Sequence, residues 1–385
     1  MMTATDGQVM GATQIVSNGS PARRFNLVLV SEGYQAGQMA QFATDAQSFV
    51  DALFATAPFT QMRCAFNVYR VDVTSTDSGA DDPTACGGGG GAVATFFDAS
   101  FCNSGIRRLL VCDSTAVRNV VTAQVPQWHQ ILVLVNSPVY GGSGGAIATF
   151  AVNGNWQQVA LHEMGHAAYG LADEYEYWAG CGADAPGTQD HHPAGEPGQP
   201  NVTLNTDRAT IKWGGLIAAA TALPTMANPD CAQCNRGASP VPTGTVGAFE
   251  GAHYYHCGAY RPEYECRMRD IGFEFCAVCM QTIRKTMDPF MDRQIGPWVG
   301  VQFTGVVAAG AGRTWFTFNW PAVWQVVWLV VPTTPRPGAP QIAWRTRVER
   351  AGADVITYWI TITNLTPSDV AIEARYAILS GFGVC

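Results

Sequence analysis

The sequence predicts an α/β domain followed by an all-β sandwich. Two short runs, at residues 25–30 and 131–135, are apolar except at Asn26, as in central strands covered on both faces. Residues 38–54, which lie between them, carry apolar side chains at helical spacing. Beyond residue 295, short runs rich in valine, threonine and aromatic residues follow one another closely, which is typical of an antiparallel sandwich.

The first domain is expected over residues 20–294, after a flexible, polar segment at residues 1–19. Alternating strands and helices in this domain predict layers of helix packed on sheet. In chain order, the predicted elements are a strand at Phe25–Val30, a helix at Gln38–Phe54, and further strands at Phe66–Val73 and Ile131–Val135.

Two loop-rich segments interrupt this domain. Residues 78–91 contain a run of glycines together with Asp81 and Asp82. Those carboxylates are suited to Ca²⁺, although a solvated loop is the favoured interpretation. Residues 178–242 are rich in Gly, Pro, Asp and Asn, and they include the glycosylation sequon at 201–203, which we take as chance.

The second domain is expected over residues 295–385, with the boundary near Pro289–Pro297. It holds most of the tryptophans, which usually pack in a sandwich core, whereas exposed tryptophans would stack on sugar rings. Its predicted strands are Val299–Val307, Thr314–Trp320, Gln325–Val331, Ile342–Val348, Val355–Thr363 and Val370–Leu379.

Composition excludes several classes of protein. The chain is 47% hydrophobic and 14% charged with a net charge of −8, which indicates a globular protein and argues against a nucleic-acid partner. No apolar stretch is long enough for a membrane span. Residues 1–19 lack the basic start, apolar run and cleavage site of a signal peptide.

The twelve cysteines favour disulfides and an oxidising compartment. We therefore expect an extracellular or exported protein, with buried free thiols in a cytoplasmic protein as the alternative. Two pairs, Cys231/Cys234 and Cys276/Cys279, have C-x-x-C spacing. They could form a four-thiolate zinc site, but the long gap between them makes local or crossed disulfides the favoured prediction.

The most informative motif is His162-Glu163-Met164-Gly165-His166. On a helix, histidines four residues apart lie on one face, where both imidazoles can bind a single Zn²⁺. The intervening Glu163 would then lie beside the metal as a general base, and we identify it as the candidate catalytic residue. The alternative, a pair of packed or surface histidines without a metal, leaves Glu163 without a role.

The helix that carries this motif is predicted to start near Gln157, with Asn155 as N-cap, and to end at Gly170. A catalytic zinc needs three protein ligands and one water. In the metzincin group the third ligand follows a glycine turn, and by similarity Asp173 is the candidate here, with Glu174 as the alternative.

A glycine-rich stretch precedes the helix, at residues 140–145, and an apolar segment follows at 146–152. We predict that this segment is an edge strand over the cleft, to which an extended peptide substrate adds as a further strand. An ordinary hairpin strand is the alternative. The candidate substrate-binding residues are Ala146, Ile147, Ala148 and Thr149.

The segment at residues 260–268 is predicted to be a compact turn. A methionine beneath the zinc is a hallmark of metzincins, and Met268 is the candidate, with Met280 as the alternative and a core-filling methionine as the simplest interpretation of either. Tyr260 or Tyr264 is a candidate oxyanion stabiliser, although each could equally be a packing residue.

Several stretches resemble the bacterial IgA-cleaving metallopeptidases, a metzincin-like family. The most specific is HEMGHAAYGLADEY, and two others, YGGSGG and YRPEYECRM, support it independently. The remaining matching stretches are FNLVLVSEGY, VDALFATAPF, FNVYRVDVTSTDSGADDP, WHQILVLVNSP, PNVT with IKW downstream, and FCAVC.

The resemblance implies a metzincin-like catalytic domain with a mixed sheet and an active-site helix. It implies one catalytic Zn²⁺ held by His162, His166 and Asp173, with Glu163 as the catalytic residue and Met268 in the methionine turn. It also implies that the substrate is a protein or peptide, although the family's name does not make immunoglobulin the substrate of this chain.

The competing interpretation is a catalytically silent metalloprotein whose C-terminal sandwich binds glycan or protein. The intact Glu163 favours an enzyme, because a chain that had lost catalysis would need no base beside two metal ligands. Hydrolysis of a non-peptide amide at the same metal remains a third interpretation of the motif.

Overall fold

A computed structural model describes residues 6–177, 190–235, 237–291, 298–322, 324–352 and 355–381. The chain divides into two compact units, Met1–Phe290 and Met291–Cys385. The first residues of the loop expected at 178–242, and most of the boundary expected at Pro289–Pro297, lie outside the described residues.

The first unit contains strands and helices in alternation. Its strands are β1 (Gly7–Val16), β2 (Phe25–Glu32), β3 (Phe66–Ser75), β4 (Gln130–Val135), β5 (Gly142–Ser143), β6 (Ala148–Ala151), β7 (Phe249–Ala252) and β8 (Tyr255–Arg261). Its helices are α1 (Met39–Ala55), α2 (Ser114–Gln124), α3 (Trp156–Tyr169) and α4 (Ala277–Met287).

Six of these strands form a mixed sheet in the order β1-β3-β2-β4-β6-β5. The four inner strands are parallel, and the two outermost, β1 and β5, are antiparallel to their neighbours. Every residue of β2 and β4 is buried, which is why each strand contains a run of consecutive apolar residues, at 27–30 and 131–135. The expected mixed α/β layers are therefore present.

The helices pack on this sheet. Alternate side chains of β2, Val28 and Val30, share a core with Val117 and Val121 of α2. Asp113 is the N-cap of α2, and its carboxylate accepts hydrogen bonds from the backbone N–H groups of residues 115 and 116. The sequence pattern did not predict this helix. Helices α1 and α3 contact each other and also the sheet.

Strand β1 corrects one expectation. Residues 1–19 were expected to be a flexible segment, but Gly7–Val16 is an ordered edge strand paired with β3. Most of its side chains are exposed, Met10 at 63% among them. The strand is therefore held by backbone hydrogen bonds and leaves no hydrophobic pattern in the sequence.

Strand β6 corrects a second expectation. The segment at 146–152 was expected to be an edge strand, but β6 pairs with β4 on one side and with the two-residue strand β5 on the other. A strand with hydrogen-bonded neighbours on both sides has no free backbone groups for a peptide to join. The predicted edge position is therefore wrong.

Helix α3 runs from Trp156 to Tyr169, one residue longer at its start than predicted. Asn155 is its N-cap, although its side chain makes no capping hydrogen bond. Gly170 ends the helix in the left-handed conformation with φ of 62°, which confirms the predicted end and turns the chain back toward the helix face.

The cysteines are partly oxidised. Disulfides join Cys86 to Cys102 and Cys231 to Cys257, which indicates an oxidising environment. Because Cys231 is in a disulfide, the four-thiolate site considered from the two C-x-x-C pairs does not form. Among the described residues, the free thiols are those of Cys112, Cys266, Cys276 and Cys279.

The second unit contains β9 (Trp298–Val307), β10 (Gly312–Pro321), β11 (Trp324–Pro332), β12 (Ile342–Arg350), β13 (Val355–Asn364) and β14 (Val370–Gly381). Its described strands form two antiparallel three-stranded sheets, β10-β13-β12 and β11-β14-β9. Residues from both sheets share one core, so the expected all-β unit is present. In the described part of the whole chain, no helix is long and apolar enough to cross a membrane.

Candidate metal centre

Three side chains converge at the C-terminal half of α3. The Asp173 Oδ1 atom lies 3.0 Å from His162 Nε2 and 3.2 Å from His166 Nε2. The two Nε2 atoms are themselves 3.2 Å apart. Helical spacing places both imidazoles on one face, and the turn at Gly170 brings Asp173 back to meet them.

Backbone carbonyls hold the other nitrogen of each ring. His162 Nδ1 lies 2.9 Å from the Arg267 carbonyl oxygen, and His166 Nδ1 lies 2.7 Å from that of Leu171. An Nδ1–H that donates to a carbonyl leaves Nε2 with its lone pair free for a metal. The sequence did not indicate these acceptors, because main-chain oxygens have no residue signature.

These three residues fit a zinc ion. Around a tetrahedral Zn²⁺ with bonds of about 2.0–2.1 Å to nitrogen and oxygen, the ligand atoms lie roughly 3.3 Å apart. The observed separations are 3.0–3.2 Å. Two neutral imidazoles and one carboxylate are also the kind of donor set that a catalytic zinc takes, with the fourth position left for water.

The electrostatics of the cluster favour a cation. Although burial opposes ionisation, the two histidines hold the pKa of Asp173 well below its usual range. Burial likewise acts to lower the pKa of His166, but the Asp173 carboxylate raises it to about 9. The carboxylate thus attracts positive charge at the point where the rings meet, and a metal would displace those protons.

Glu163 lies beside the cluster. Its side chain is 7% exposed, and it lines a pocket of about 630 Å³ that also contains the three candidate ligands. Burial raises the pKa of the Glu163 carboxyl, and the neighbouring histidines act in the opposite direction. Such a carboxylate is placed to exchange a proton with a molecule in the pocket.

Asp173 and Glu174, the two alternatives for the third ligand, point into different clusters. Asp173 joins the histidines, whereas Glu174 Oε1 lies 3.3 Å from Cys279 Sγ on the other side of the chain. The backbone N–H of Glu174 donates to the Met268 carbonyl oxygen over 2.7 Å. The geometry therefore favours Asp173 over Glu174.

Two tyrosines that were not predicted from the sequence, Tyr175 and Tyr254, line this pocket. The Tyr254 hydroxyl donates to Asp173 Oδ2 over 2.5 Å. Tyr175 accepts a hydrogen bond of 3.3 Å from Arg108 Nη2, and Arg108 lines the pocket as well. Tyr175 belongs to the motif LADEY and its place beside the ligands was foreseeable, whereas Arg108 and Tyr254 are distant in sequence.

The two candidate oxyanion stabilisers lie elsewhere. The Tyr260 hydroxyl is directed to Glu250 Oε1 at 3.4 Å, and the Tyr264 hydroxyl donates to the Gly237 carbonyl oxygen over 2.6 Å. Neither side chain lines the pocket. The positions of Tyr260 and Tyr264 therefore favour the alternative interpretation, in which both are packing residues.

Met268 lies beneath the histidine helix. It is fully buried, and a Cβ atom built on Gly165 would come within 2.7 Å of its sulfur, so the glycine of the motif allows this close approach. The alternative, Met280, is a half-buried residue of α4. The geometry therefore favours Met268 as the methionine of the turn.

The glycine-rich stretch packs directly on α3. A Cβ atom on Gly142 would lie 3.0 Å from Glu163 Oε1, and one on Gly144 would lie 2.5 Å from His166 Cβ. Gly142, Ser143, Gly144 and Gly145 line the pocket. The four residues predicted to bind substrate do not: Ile147, Ala148 and Thr149 are buried in or beside β6, and Ala146 is exposed outside the pocket lining.

Asn201 fixes the segment that carries Asp173. Its side chain is fully buried, and it exchanges hydrogen bonds of 2.8 and 2.9 Å with the backbone N–H and carbonyl oxygen of Ala172. It also donates to Glu174 Oε1 over 2.8 Å. In the sequence this asparagine belongs only to a chance sequon, whereas in the structure it positions the loop that carries Asp173.

The aspartates considered for calcium have other partners. Asp81 Oδ1 accepts a hydrogen bond from the Val93 backbone, and Asp82 Oδ2 accepts one from Gly89. Asp82 also forms an ion pair of 2.7 Å with Arg107. These carboxylates stabilise their own loop, and among the described residues they do not form a cluster that could hold a cation.

The chain was also compared with known proteins. A family model described as IgA Peptidase M64 matches residues 13–239 and 234–287, a span that includes the histidine helix, Asp173, Asn201 and Met268. The comparison with curated proteins finds no match.

Proposed function

The chain belongs to the IgA peptidase M64 family, and from that premise we propose that it is a zinc-dependent endopeptidase acting on protein substrates. Membership of the family implies a metallopeptidase. The observation that carries the finer proposal is the convergence of His162, His166 and Asp173 within 3.2 Å of one another beside Glu163. A structural pair of histidines would not need a third ligand and a base in the same pocket.

In the proposed reaction, His162, His166 and Asp173 would hold the Zn²⁺, which when bound would supply Lewis-acid activation of a water and of the scissile carbonyl. Glu163 accepts the proton of the attacking water and returns it to the leaving amine. The Nδ1–H groups of His162 and His166 stay bonded to backbone carbonyls, which holds both rings in the ligating orientation.

Arg108 and Tyr175 take the place of the tyrosines expected from the sequence. Both line the pocket, and the 3.3 Å hydrogen bond from Arg108 to the Tyr175 hydroxyl orients that hydroxyl. We assign them to the stabilisation of charge on the carbonyl oxygen of the substrate, because donors fixed in a buried pocket are most effective where charge develops.

The substrate is proposed to lie along residues 143–145, one strand outside the site expected from the sequence. Strand β5 is the outermost strand of the sheet. Its outer side is bonded at Gly142 to the backbone of Arg108 and Leu110, but the glycines that follow it are exposed and line the pocket. An extended peptide can hydrogen-bond to such an edge without any contact from its side chains. This arrangement suits an endopeptidase, since the chain can continue in both directions.

The test is proteolysis of a broad peptide library by wild type, by the Glu163→Ala variant, and by chelator-treated protein. We expect cleavage only by untreated wild type, and recovery of the treated sample when Zn²⁺ is returned. The Asp51→Ala variant is the matched control, because that carboxylate belongs to the same unit, is exposed on α1 and does not line the pocket. Equal cleavage by Glu163→Ala would refute the mechanism.

A second candidate function rests on the outer faces of the sandwich. Large apolar side chains are exposed there, including Trp298 at 58% and Phe318 at 62%. Aromatic rings in such positions can stack on sugars or dock on protein. Two results together would favour this binding function. Wild type would cleave no peptide in the library, and it would bind to a glycan or protein array while the Trp298→Ala variant would not.

We further propose that the protein works outside the cytoplasm. The disulfides Cys86–Cys102 and Cys231–Cys257 form and persist in oxidising compartments.

A further inference from the structure

A second cluster of metal-ligand side chains lies on the opposite side of the Asp173–Glu174 segment. Its members are Glu174, Cys266, Cys276 and Cys279, and each is at most 3% exposed. Their four ligand atoms all lie within 4.8 Å of one another. The proposed mechanism uses none of them.

The separations in this cluster match a single tetrahedral ion. The sulfurs of Cys266 and Cys279 are 3.8 Å apart. Glu174 Oε1 lies 3.3 Å from the sulfur of Cys279 and 3.9 Å from that of Cys276. A tetrahedral Zn²⁺ with bonds of about 2.3 Å to sulfur and 2.0–2.2 Å to oxygen requires S···S and S···O separations of roughly 3.8 and 3.5 Å.

The backbone around the cluster donates hydrogen bonds to sulfur. Cys266 Sγ accepts from the N–H groups of Met268 at 3.5 Å and of Cys276 at 3.3 Å. Cys276 Sγ accepts from the N–H of Cys279 at 3.4 Å. Sulfurs that accept hydrogen bonds are suited to the thiolate form, which is the form that binds metal.

The carboxylate of the cluster has a buried atom that lacks a partner. Glu174 Oε1 accepts a hydrogen bond from Asn201, but Oε2 is buried without a hydrogen-bond donor among the described residues. A buried carboxylate with one unpaired oxygen is costly, and a cation bound at Oε1, the oxygen that faces the sulfurs, would offset the negative charge of the whole group. This observation is independent of the sulfur geometry and points to the same occupant.

We propose that Glu174, Cys266, Cys276 and Cys279 bind a second Zn²⁺, with a structural role. Thiolates select zinc over the hard cations that prefer oxygen alone. Four protein ligands in a buried position leave no place for water, which is the arrangement of a structural and not a catalytic site. The two sites share no ligand, although Asp173 and Glu174 are adjacent.

The location of the cysteine cluster links it to the candidate catalytic site. It would join three segments: the loop that carries Asp173, the turn that carries Met268 and the Arg267 carbonyl bonded to His162, and the start of α4. Zinc at the cysteine cluster would therefore position one ligand of the catalytic metal and the acceptor that orients another.

The test is metal stoichiometry of the full-length protein, measured by elemental analysis and native mass spectrometry. We expect two zinc ions in wild type, one in the His162→Ala/His166→Ala variant, and loss of the other in Cys276→Ser/Cys279→Ser. The Cys112→Ser variant is the matched control, because it removes a free thiol outside the cluster and should keep both ions.

Wild-type protein gives a readout that does not depend on the folding of a variant. After Co²⁺ replacement, we expect a thiolate-to-cobalt charge-transfer band, and the same band in His162→Ala/His166→Ala, which reports the cysteine site alone. One zinc ion in wild type with no such band would overturn the proposal. So would a disulfide between any two of the three cysteines, found by mass spectrometry of the alkylated protein.

Discussion

At the scale of single residues, Asp173 and Glu174 show how one short segment serves two clusters. Alternate directions of the two side chains send one carboxylate to the histidines and the other to the cysteines. The segment is fixed from both sides by Asn201 and the Met268 carbonyl. Substitutions that touch this segment should therefore affect metal binding before they affect the fold.

Tyr254 offers a first test of that view. Its hydroxyl is the donor to Asp173 Oδ2, so the Tyr254→Phe variant removes an outer partner of a metal ligand while it keeps the ring. We expect a loss of about 10–100-fold in affinity for the catalytic zinc, measured by competition with a chromophoric chelator. Tyr255→Phe, a change at the neighbouring tyrosine, is the control. Equal affinities for all three proteins would contradict this assignment.

Gly144 tests the close contact between the glycine-rich stretch and α3. In Gly144→Ala the new Cβ would lie 2.5 Å from His166 Cβ and 2.8 Å from its ring, so the ring must move. We expect lower zinc content and a fall in kcat/KM of at least about tenfold, because misplacement of one ligand by a fraction of an ångström disturbs the whole site. Gly198→Ala, where the Cβ meets nothing, should behave as wild type.

At the scale of elements, the end of β2 contains a buried carboxyl with a function in the fold. Glu32 accepts hydrogen bonds from the backbone of Phe97 and Ala99, and so attaches the loop at residues 95–99 to the strand. Burial raises its pKa from 4.5 to about 7, although these hydrogen bonds act in the opposite direction. The folded state therefore holds this proton more tightly than the unfolded chain does.

The sign of the pH dependence follows from that difference. The contribution of Glu32 to stability is complete below pH 4.5 and is lost as the pH rises to about 7. The loss is on the order of 3 kcal/mol. In Glu32→Gln the amide oxygen still accepts the backbone bonds, so this pH dependence should vanish from urea unfolding curves recorded between pH 5 and 8. If the free energy of unfolding falls equally with pH in wild type and in the variant, the assignment is contradicted.

Elements with a buried face were predictable from the sequence, and those held by the main chain were not. The apolar runs of β2 and β4 and the helical spacing in α1 are direct records of burial. Strand β1 is mostly exposed, and strand β5 has only two residues, so neither leaves a period to detect. The neighbour of β6 was missed for this reason, and with it the true edge of the sheet.

In the candidate site, too, some residues were predictable from the sequence and others were not. His162, Glu163 and His166 are fixed by helical geometry, and Asp173 follows from a glycine turn, so local sequence predicts their meeting. Tyr254 contacts the cluster from a hairpin that lies 81 residues after Asp173 in the chain. No local pattern encodes a contact of that range, which is why the sequence did not predict Tyr254 at the site.

At the scale of the whole molecule, each unit has its own hydrophobic core. The candidate zinc ligands all belong to the first unit. We therefore expect two calorimetric transitions, of which a chelator lowers only one, because a ligand stabilises the unit that binds it.

The Ile360→Ala variant tests the transition of the second unit, because Ile360 is fully buried in the core of the sandwich. A loss of about 2–5 kcal/mol is typical of such a truncation, and it should move the transition that the chelator leaves unchanged. A single transition that responds to both treatments would contradict the independence of the two cores.

The buried Asn201 has a practical consequence for producing this protein. A eukaryotic secretory pathway attaches oligosaccharide to Asn-Val-Thr sequences while the chain is still emerging. A sugar on this amide could not enter the interior, where the side chain holds Ala172 and Glu174. Yeast or mammalian expression would thus yield misfolded glycoprotein, whereas a bacterial periplasm supplies the disulfides and leaves the amide bare.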